Sequence, residues 1–374
     1  MLATEAGACH SSELGDQGAR VDDPKLLGYD LQTFADGCAG WVDSALVREM
    51  ADANLKDMRI GWVGTGRMGY ALASRLLEAG CDVSVYNRTR AKAEPLAEQG
   101  ATIVDAASEL ADRDIVFTIV AGSDDFKQVV LGEAGLLSGS GRGPSVIVDS
   151  STVSPAASAE VRAEAERRGS ALLAAPVSGN PRVVEAGLLT FVVSGPEDAY
   201  RDALPYIEQL GAGVTYVGDG DRARLVKICH NLLLGVVAQS LSEIAVLAEK
   251  GGVSRADFLE FLNNSVMGSL FTRYKTPAFV NLDFTPTFTP ALLFKDFELG
   301  FEAARRSGVP MPVAAAAQQA VQALMGNGYQ DVDFAALLEL QARGSGLDLE
   351  PEGVPVSDGL GDGEVGMSSA RASA

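Results

Sequence analysis

The chain has 374 residues, 47% of them apolar, with a formal net charge of −20 and a mean hydropathy of +0.11. That length accommodates two domains of ordinary size with a sizeable core, and the composition is that of a soluble globular protein. The negative charge argues against a nucleic-acid partner, because phosphate binding needs a basic surface. No long uncharged apolar run marks a membrane span, and a secretory signal is not expected.

Residues 1–57 show no clean period and read as a loose extension or the product of an upstream start codon, with no function assigned. From Met58 the pattern alternates. "RIGWVG" (59–64) is strand-like, 67–79 helical and "CDVSVYN" (81–87) strand-like again. A helix is expected over 90–99, then strands at 101–104, 114–120 and 145–151. Short apolar runs separated by helical patterns predict a Rossmann-type, doubly wound parallel sheet over residues 58–220. The next helix has Ser154 as N-cap, Pro155 in the first turn and Gly169 as its stop. Strands 171–177 and 189–195 are expected to extend the sheet. From Asp221 a long apolar helix runs to about Lys250, opening a mostly α-helical second domain over 221–342. Residues 343–374, rich in Gly, Ser, Pro and acids, are expected to be a disordered acidic tail.

Cys9, Cys38, Cys81 and Cys229 form no CxxC pair and no metal-ligand spacing, so no metal is expected. Cys81 and Cys229 lie in apolar contexts and read as buried thiols, and a reducing cytoplasm is the simplest setting.

"GTGRMG" places Gly64, Thr65, Gly66, Arg67, Met68 and Gly69 between the first strand and the first helix. The first glycine permits a tight turn, the second lets backbone approach a pyrophosphate, and the third allows close helix–strand packing. The helix N-terminus offers free N–H groups to the phosphates. A glycine-rich structural turn is the bland reading, and the βαβ context favours a dinucleotide cofactor. A carboxylate at the end of the second strand would bind the ribose hydroxyls of NAD(H). Here the chain reads Asn87-Arg88-Thr89, which suits the 2′-phosphate of NADP(H). NADP(H) is therefore favoured, with NAD(H) possible.

"IGWVGTGRMG", "DSSTVSP", "APVSGN", the Lys227–Asn231 pair and "FKDFELG" occur in one order over residues 58–340. This ordered set resembles the β-hydroxyacid dehydrogenases, which include 3-hydroxyisobutyrate dehydrogenase, tartronate semialdehyde reductase and the glyoxylate/succinic semialdehyde reductases, and are related to 6-phosphogluconate dehydrogenase. The resemblance implies a catalytic acid–base at Lys227, with Asn231 helping to bind substrate. It implies that Thr152 touches nicotinamide and substrate, that Ser178 and Gly179 begin a loop holding the substrate carboxylate, and that Lys295, beside Asp296, closes over cofactor. The turn at Val120, Ala121 and Gly122 resembles the loop passing the cofactor ribose. A homodimer or homotetramer through the helical domain is also implied.

Two departures stand out. The family's Ser-Gly-Gly loop continues here with Asn180, then Pro181 and Arg182. Asn180 either narrows the carboxylate pocket or adds an amide contact. Arg182 either attracts a second anionic group or is a surface residue, and the surface reading is preferred. Ala121-Gly122 replaces a usual proline.

The chemistry fits these residue types. Hydride transfer at an alcohol carbon needs a proton carrier at the oxygen. A lysine flanked by Leu225, Val226 and Ile228 is lowered from its usual pKa near 10.4 where its face borders a closed cleft. Lys227 and Asn231 share a helix face that continues through Gly235, Ala238 and Ser242, a stripe that suits either a ligand or close helix packing. His230 competes as proton carrier but is the lesser candidate, a lone histidine in an apolar helix being more often structural. The hydroxyls of "DSSTVSP" stand at a strand's C-terminal end, where open sheets bind ligands. Ser154 suffices as cap, leaving Ser151 and Thr152 for the cleft.

The expected activity is NAD(P)-dependent hydride transfer to or from a small 3-hydroxy acid or its semialdehyde or 2-oxo counterpart. The alternatives are an imine reductase, disfavoured by retention of Lys227, and a non-catalytic NADPH-binding protein.

Overall fold

The computed structural model describes Leu55 and residues 57–361. Apart from Leu55 and Asp57, the extension expected over residues 1–57 lies outside the described residues, as does the end of the expected tail, 362–374.

The first half is a six-stranded parallel sheet with helices on both faces. Its elements run β1 (Arg59–Val63), α1 (Arg67–Glu78), β2 (Asp82–Tyr86), α2 (Glu94–Ala97), β3 (Thr102–Ile103), β4 (Ile115–Thr118), α3 (Ser123–Leu131), β5 (Val146–Asp149), α4 (Pro155–Arg167) and β6 (Ala171–Ala174). Strand order is β3-β2-β1-β4-β5-β6, all parallel, so the order reverses between β1 and β4. Strands covered on both faces need apolar side chains pointing both ways, which is why "IVFT" and "VIVD" are buried throughout. One face packs Ile60, Trp62, Leu72 and Leu76, and the other Val63, Phe126, Ile147 and Val161. Leu55 is buried in the first of these clusters.

Two expectations for this half change. The helix over 90–99 is a 3₁₀ turn (Arg90–Lys92) followed by the single turn α2, because Pro95 disfavours helical backbone before it. Strand 189–195 does not extend the large sheet. It becomes β8 (Thr190–Val193) of a separate three-stranded sheet, with β7 (Val177–Ser178) antiparallel and β9 (Gly213–Tyr216) parallel to it. Among the described residues an isolated Ala174–Ser194 bridge joins the two sheets. Helices α5 (Pro181–Glu185) and α6 (Glu197–Leu210) complete this region.

From Arg222 the chain is helical: α7 (Arg222–Lys250), α8 (Arg255–Asn264), α9 (Leu270–Asn281), α10 (Pro290–Ser307), α11 (Pro312–Gly326) and α12 (Leu337–Gly344). By length and hydropathy α7 would pass for a membrane span. It packs instead as a core helix, burying Arg224, Asn231, Gly235 and Ser242 on one side. Gly235 leaves room for α10, since a Cβ there would lie 2.5 Å from Phe297. Beyond Asn231, then, the small-residue stripe serves helix packing. Cys229 is exposed, contrary to expectation, because it lies on the opposite side of α7.

The expected disorder from residue 343 is corrected as far as residue 361. Arg255, fully buried, donates to the Glu350 carbonyl at 2.5 Å and to the Phe279 carbonyl at 2.7 Å, and pairs with Glu249. Its backbone N–H bonds Glu352 Oε1 at 2.6 Å. Asn281 holds Gly353 and Val354 through both ends of its amide. A composition too polar to form its own core is ordered here by polar groups that would otherwise be buried without partners.

Candidate active site

The phosphate-binding turn is built by close approach. A Cβ on Gly64, at φ +99°, would lie 2.2 Å from the Ile119 carbonyl, and one on Gly69 would lie 2.0 Å from that of Gly64. Gly66 differs, since a Cβ there would meet nothing within 4 Å. No neighbour in the fold demands glycine at that position, whereas a pyrophosphate lying on the backbone would. Gly66 caps α1 without a side-chain hydrogen bond, so the first-turn amides are left for an anion. Gly64, Gly66, Arg67, Met68 and Gly69 line a cavity of about 550 Å³ at the β1/β4 switch point. Thr65 does not line it. Its amide bonds Asn87 Oδ1 at 2.9 Å, and Asn87 Nδ2 reaches the Thr89 carbonyl at 2.8 Å, so this pair shapes the turn.

Arg88, Thr89 and Lys92 stand at the far end of the same cavity. Arg88 Nη1 lies 2.5 Å from Asp125 Oδ1, which enters from α3. This carboxylate was missed in the sequence because it lies 37 residues away on another element.

At the C-terminal ends of β4 and β5 a buried polar cluster shapes the other end of the cleft. Asp149 accepts Thr118 Oγ1 at 2.7 Å and pairs with Arg224 of α7 at 2.8 Å, and both members are almost wholly buried. Arg224 also donates to the Ser151 carbonyl and to Ser158 Oγ. Ser151 is 1% exposed and its Oγ accepts the Val120 amide at 2.9 Å. Ser151, expected as a substrate contact, lines the neighbouring cavity and also holds the Val120 turn. Thr152, Val120 and Ala121 line a second cavity of about 630 Å³, which shares Arg67, Met68 and Ile119 with the first. The shared residues make one extended groove, and its two ends suit the two halves of a dinucleotide.

Lys227 projects into this second cavity from α7, one turn beyond Arg224. It has no hydrogen-bond or ion-pair partner among the described residues, and burial lowers its pKa to about 8 against an opposing pull from Asp296. Asn231 Nδ2 donates to Asp296 Oδ2 at 2.5 Å, and Lys295 Nζ reaches the Thr152 carbonyl at 3.5 Å. Burial raises the Asp296 carboxyl, with Asn231 and the charges of Lys227 and Lys295 opposing. His230 faces the same cavity but is engaged on both sides, with Nε2 2.9 Å from Ser178 Oγ and Nδ1 2.9 Å from Asn231 Oδ1. Burial and then the Lys227 charge hold its pKa below the usual value.

Gly179, at φ +142°, packs against Val183 and Leu189. Asn180 lines the same cavity and also caps α5, its Oδ1 accepting the Val183 amide at 3.1 Å. Arg182 does not line the cavity and pairs with Asp358. Leu270, Phe271, Tyr274 and Phe288 form an apolar wall from the helical half that carried no motif in the sequence.

A parallel sheet with a glycine-rich turn at its switch point, facing a helical half that projects a lysine into the cleft, defines an NAD(P)-dependent oxidoreductase. Comparison with known proteins narrows the class. Residues 59–218 match the NAD binding domain of 6-phosphogluconate dehydrogenase, and residues 221–341 the NAD-binding region of NADP-dependent 3-hydroxyisobutyrate dehydrogenase. The chain is 30% identical over 288 residues to glyoxylate/succinic semialdehyde reductase 2 of Arabidopsis thaliana, covering 76% of this chain and 80% of that one. It is similar to the structure of Mycobacterium tuberculosis 3-hydroxyisobutyrate dehydrogenase with L-serine (TM-score 0.65, 27% identity, 76% and 98% coverage). An imine reductase from Pseudomonas sp. shares the fold, at TM-score 0.51, 23% identity, and 75% and 98% coverage. The chain belongs to the β-hydroxyacid dehydrogenase family and is an NAD(P)-dependent hydroxyacid dehydrogenase acting on CH–OH groups.

Proposed function

We propose that the protein transfers a hydride between NADP(H) and a small 3-hydroxy acid, or its semialdehyde or 2-oxo counterpart, with Lys227 as the general acid–base. The observation that carries this reading is the unpartnered Lys227, lowered to about 8 inside the cavity that Thr152, Ser178, Asn231 and Lys295 also line. The nicotinamide, when bound, supplies or accepts the hydride. The residues present fit that cofactor: Gly64, Gly66 and the first turn of α1 would hold the pyrophosphate, and Val120, Ala121, Thr152 and Lys295 would border the nicotinamide half.

Lys227 donates a proton to the substrate oxygen in reduction and accepts it in oxidation. Asn231, anchored by Asp296, presents the substrate with an amide of fixed orientation. The Ser178–Gly179 backbone takes the carboxylate, and Lys295 holds the two halves together over Thr152. A panel of semialdehydes, glyoxylate and 3-hydroxy acids, followed by nicotinamide absorbance with either cofactor, tests this. Turnover confined to cyclic imines would favour the imine reductase alternative, and binding of NADPH without any turnover would favour a non-catalytic role.

Arg88, Thr89 and Lys92 favour NADP(H) through the 2′-phosphate. A second reading, NAD(H), is favoured by Asp125, whose carboxylate beside Arg88 is suited to ribose hydroxyls. The ratio of kcat/KM for the two cofactors decides between them.

We also expect a homodimer or homotetramer in a reducing cytoplasm. Val226, Leu233, Ile244 and Leu247 form an exposed apolar stripe along α7, on the side opposite Asn231. A second copy covering it would remove that surface from water. Light scattering on the wild type and Leu233→Glu tests this, with the variant expected to dissociate.

A further inference from the structure

Asp296 determines, two residues removed, which way the Ser178 hydroxyl points. An ionised carboxylate only accepts hydrogen bonds, so the Asn231 group 2.5 Å from Asp296 Oδ2 is its amide Nδ2. The Asn231 carbonyl oxygen then faces His230 Nδ1 at 2.9 Å, which places the imidazole proton on Nδ1. In neutral His230 the other nitrogen, Nε2, is consequently an acceptor, and it takes the Ser178 hydroxyl proton at 2.9 Å. Ser178 Oγ then offers only lone pairs to the cavity, an arrangement that repels a carboxylate. Protonation of Nε2 reverses this bond. Nε2–H donates to Ser178 Oγ, the hydroxyl proton is released toward the cavity, and a positive charge is added behind it.

We propose that His230 is a substrate-positioning residue that sets, through Ser178, how tightly the substrate carboxylate is held, so that substrate binding takes up a proton at His230. The inference rests on the reading of the Ser178–Asn180 loop as the carboxylate site. The charged and titratable groups sharing the cavity are Lys227 on the same helix, Lys295 and Asp296 on α10, Tyr274 on α9 and Arg67 on α1, while the β7 loop contributes none. Burial and then the Lys227 charge favour neutral His230 in the free protein. An anion at Ser178 offsets both and favours the protonated form.

Calorimetric titration of the NADP⁺-loaded full chain with 3-hydroxyisobutyrate, in buffers of differing ionisation enthalpy, measures the proton uptake. The dissociation constant is expected to weaken by about tenfold as pH rises from about 5.5 to 8, the range in which an imidazole titrates. His230→Gln, whose amide nitrogen takes the place of Nε2 and does not titrate, is expected to bind with little pH dependence and to take up less proton. Lys227 is common to both proteins, so the difference belongs to His230. Ser178→Ala is expected to lose the same dependence, and the methyl ester of the probe to show none in the wild type. Binding that is independent of pH in the wild type, or equally pH-dependent in His230→Gln, would overturn the role of His230 while leaving the carboxylate site intact. Binding of ester and acid with equal affinity at every pH, or of neither, would overturn the carboxylate reading and this inference with it.

Discussion

Arg224 Nη2 lies 2.8 Å from Asp149 Oδ2, in a pair that joins the end of β5 to the first turn of α7, the helix carrying Lys227. Both side chains are buried, and their remaining polar atoms are met by Thr118, Ser151 and Ser158. Such a pair contributes less by attraction than by the cost of breaking it. Arg224→Met, which strands Asp149, is expected to destabilise the fold by about 3–5 kcal/mol. Chemical denaturation measures that loss. A change within about 0.5 kcal/mol would show that the pair is not the anchor of α7.

Lys227→Met keeps the length of the side chain and removes its proton. Turnover is expected to fall by at least about 10²-fold, the usual contribution of a positioned acid–base group. The dissociation constant for NADPH, measured by fluorescence, is expected to stay within about threefold, since Lys227 lines the second cavity and not the one at the glycine turn. Substantial residual turnover would direct attention to another proton carrier.

The lowered pKa of Lys227 also gives the pH dependence a sign. With Lys227 in the proposed role, reduction requires its ammonium form, so the rate is expected to be level below about pH 8 and to fall above it. Oxidation requires the free amine and is expected to rise through the same pH. Initial rates in both directions provide the check, and inflections of the same sign in both would be incompatible with Lys227 as the shared acid–base.

Arg88 and Asp125 make opposed predictions for cofactor choice. Arg88→Ala is expected to raise the KM for NADPH about tenfold, the loss of one charge-assisted hydrogen bond, with little effect on NADH. Asp125→Asn frees Arg88 and is expected to lower the KM for NADPH while raising that for NADH. Steady-state kinetics with both cofactors separates the two residues. An unchanged ratio in either variant would place cofactor selection elsewhere.

Legibility from sequence followed the range of the interactions involved. The glycine turn, the alternation of strand and helix and the shared face of Lys227 and Asn231 depend on residues a few positions apart, and local periodicity exposes those directly. Arg255 was unreadable because its partners include Phe279, Val280, Glu350 and Glu352, which meet only after α8, α9 and the last segment have packed. The same packing converted a stretch of disordered composition into ordered chain. Asn180 lines the cavity as its place in the loop suggests, while its second task, capping α5 with its oxygen, follows from α5 beginning one residue later with Pro181.

The sequence by itself determined the fold class, the glycine-rich turn after β1 and the helix that carries Lys227, since each is a pattern of local backbone preference and hydrophobic period. Tertiary structure decided what surrounds them. It brought Asp125 to Arg88, Asp149 to Arg224, and Ser178 to His230. It also assigned Ser151 to the Val120 turn and the small residues beyond Asn231 to helix packing. Hydrogen bonds and ion pairs between distant segments depend on where packing puts them, and no spacing along the chain encodes that distance.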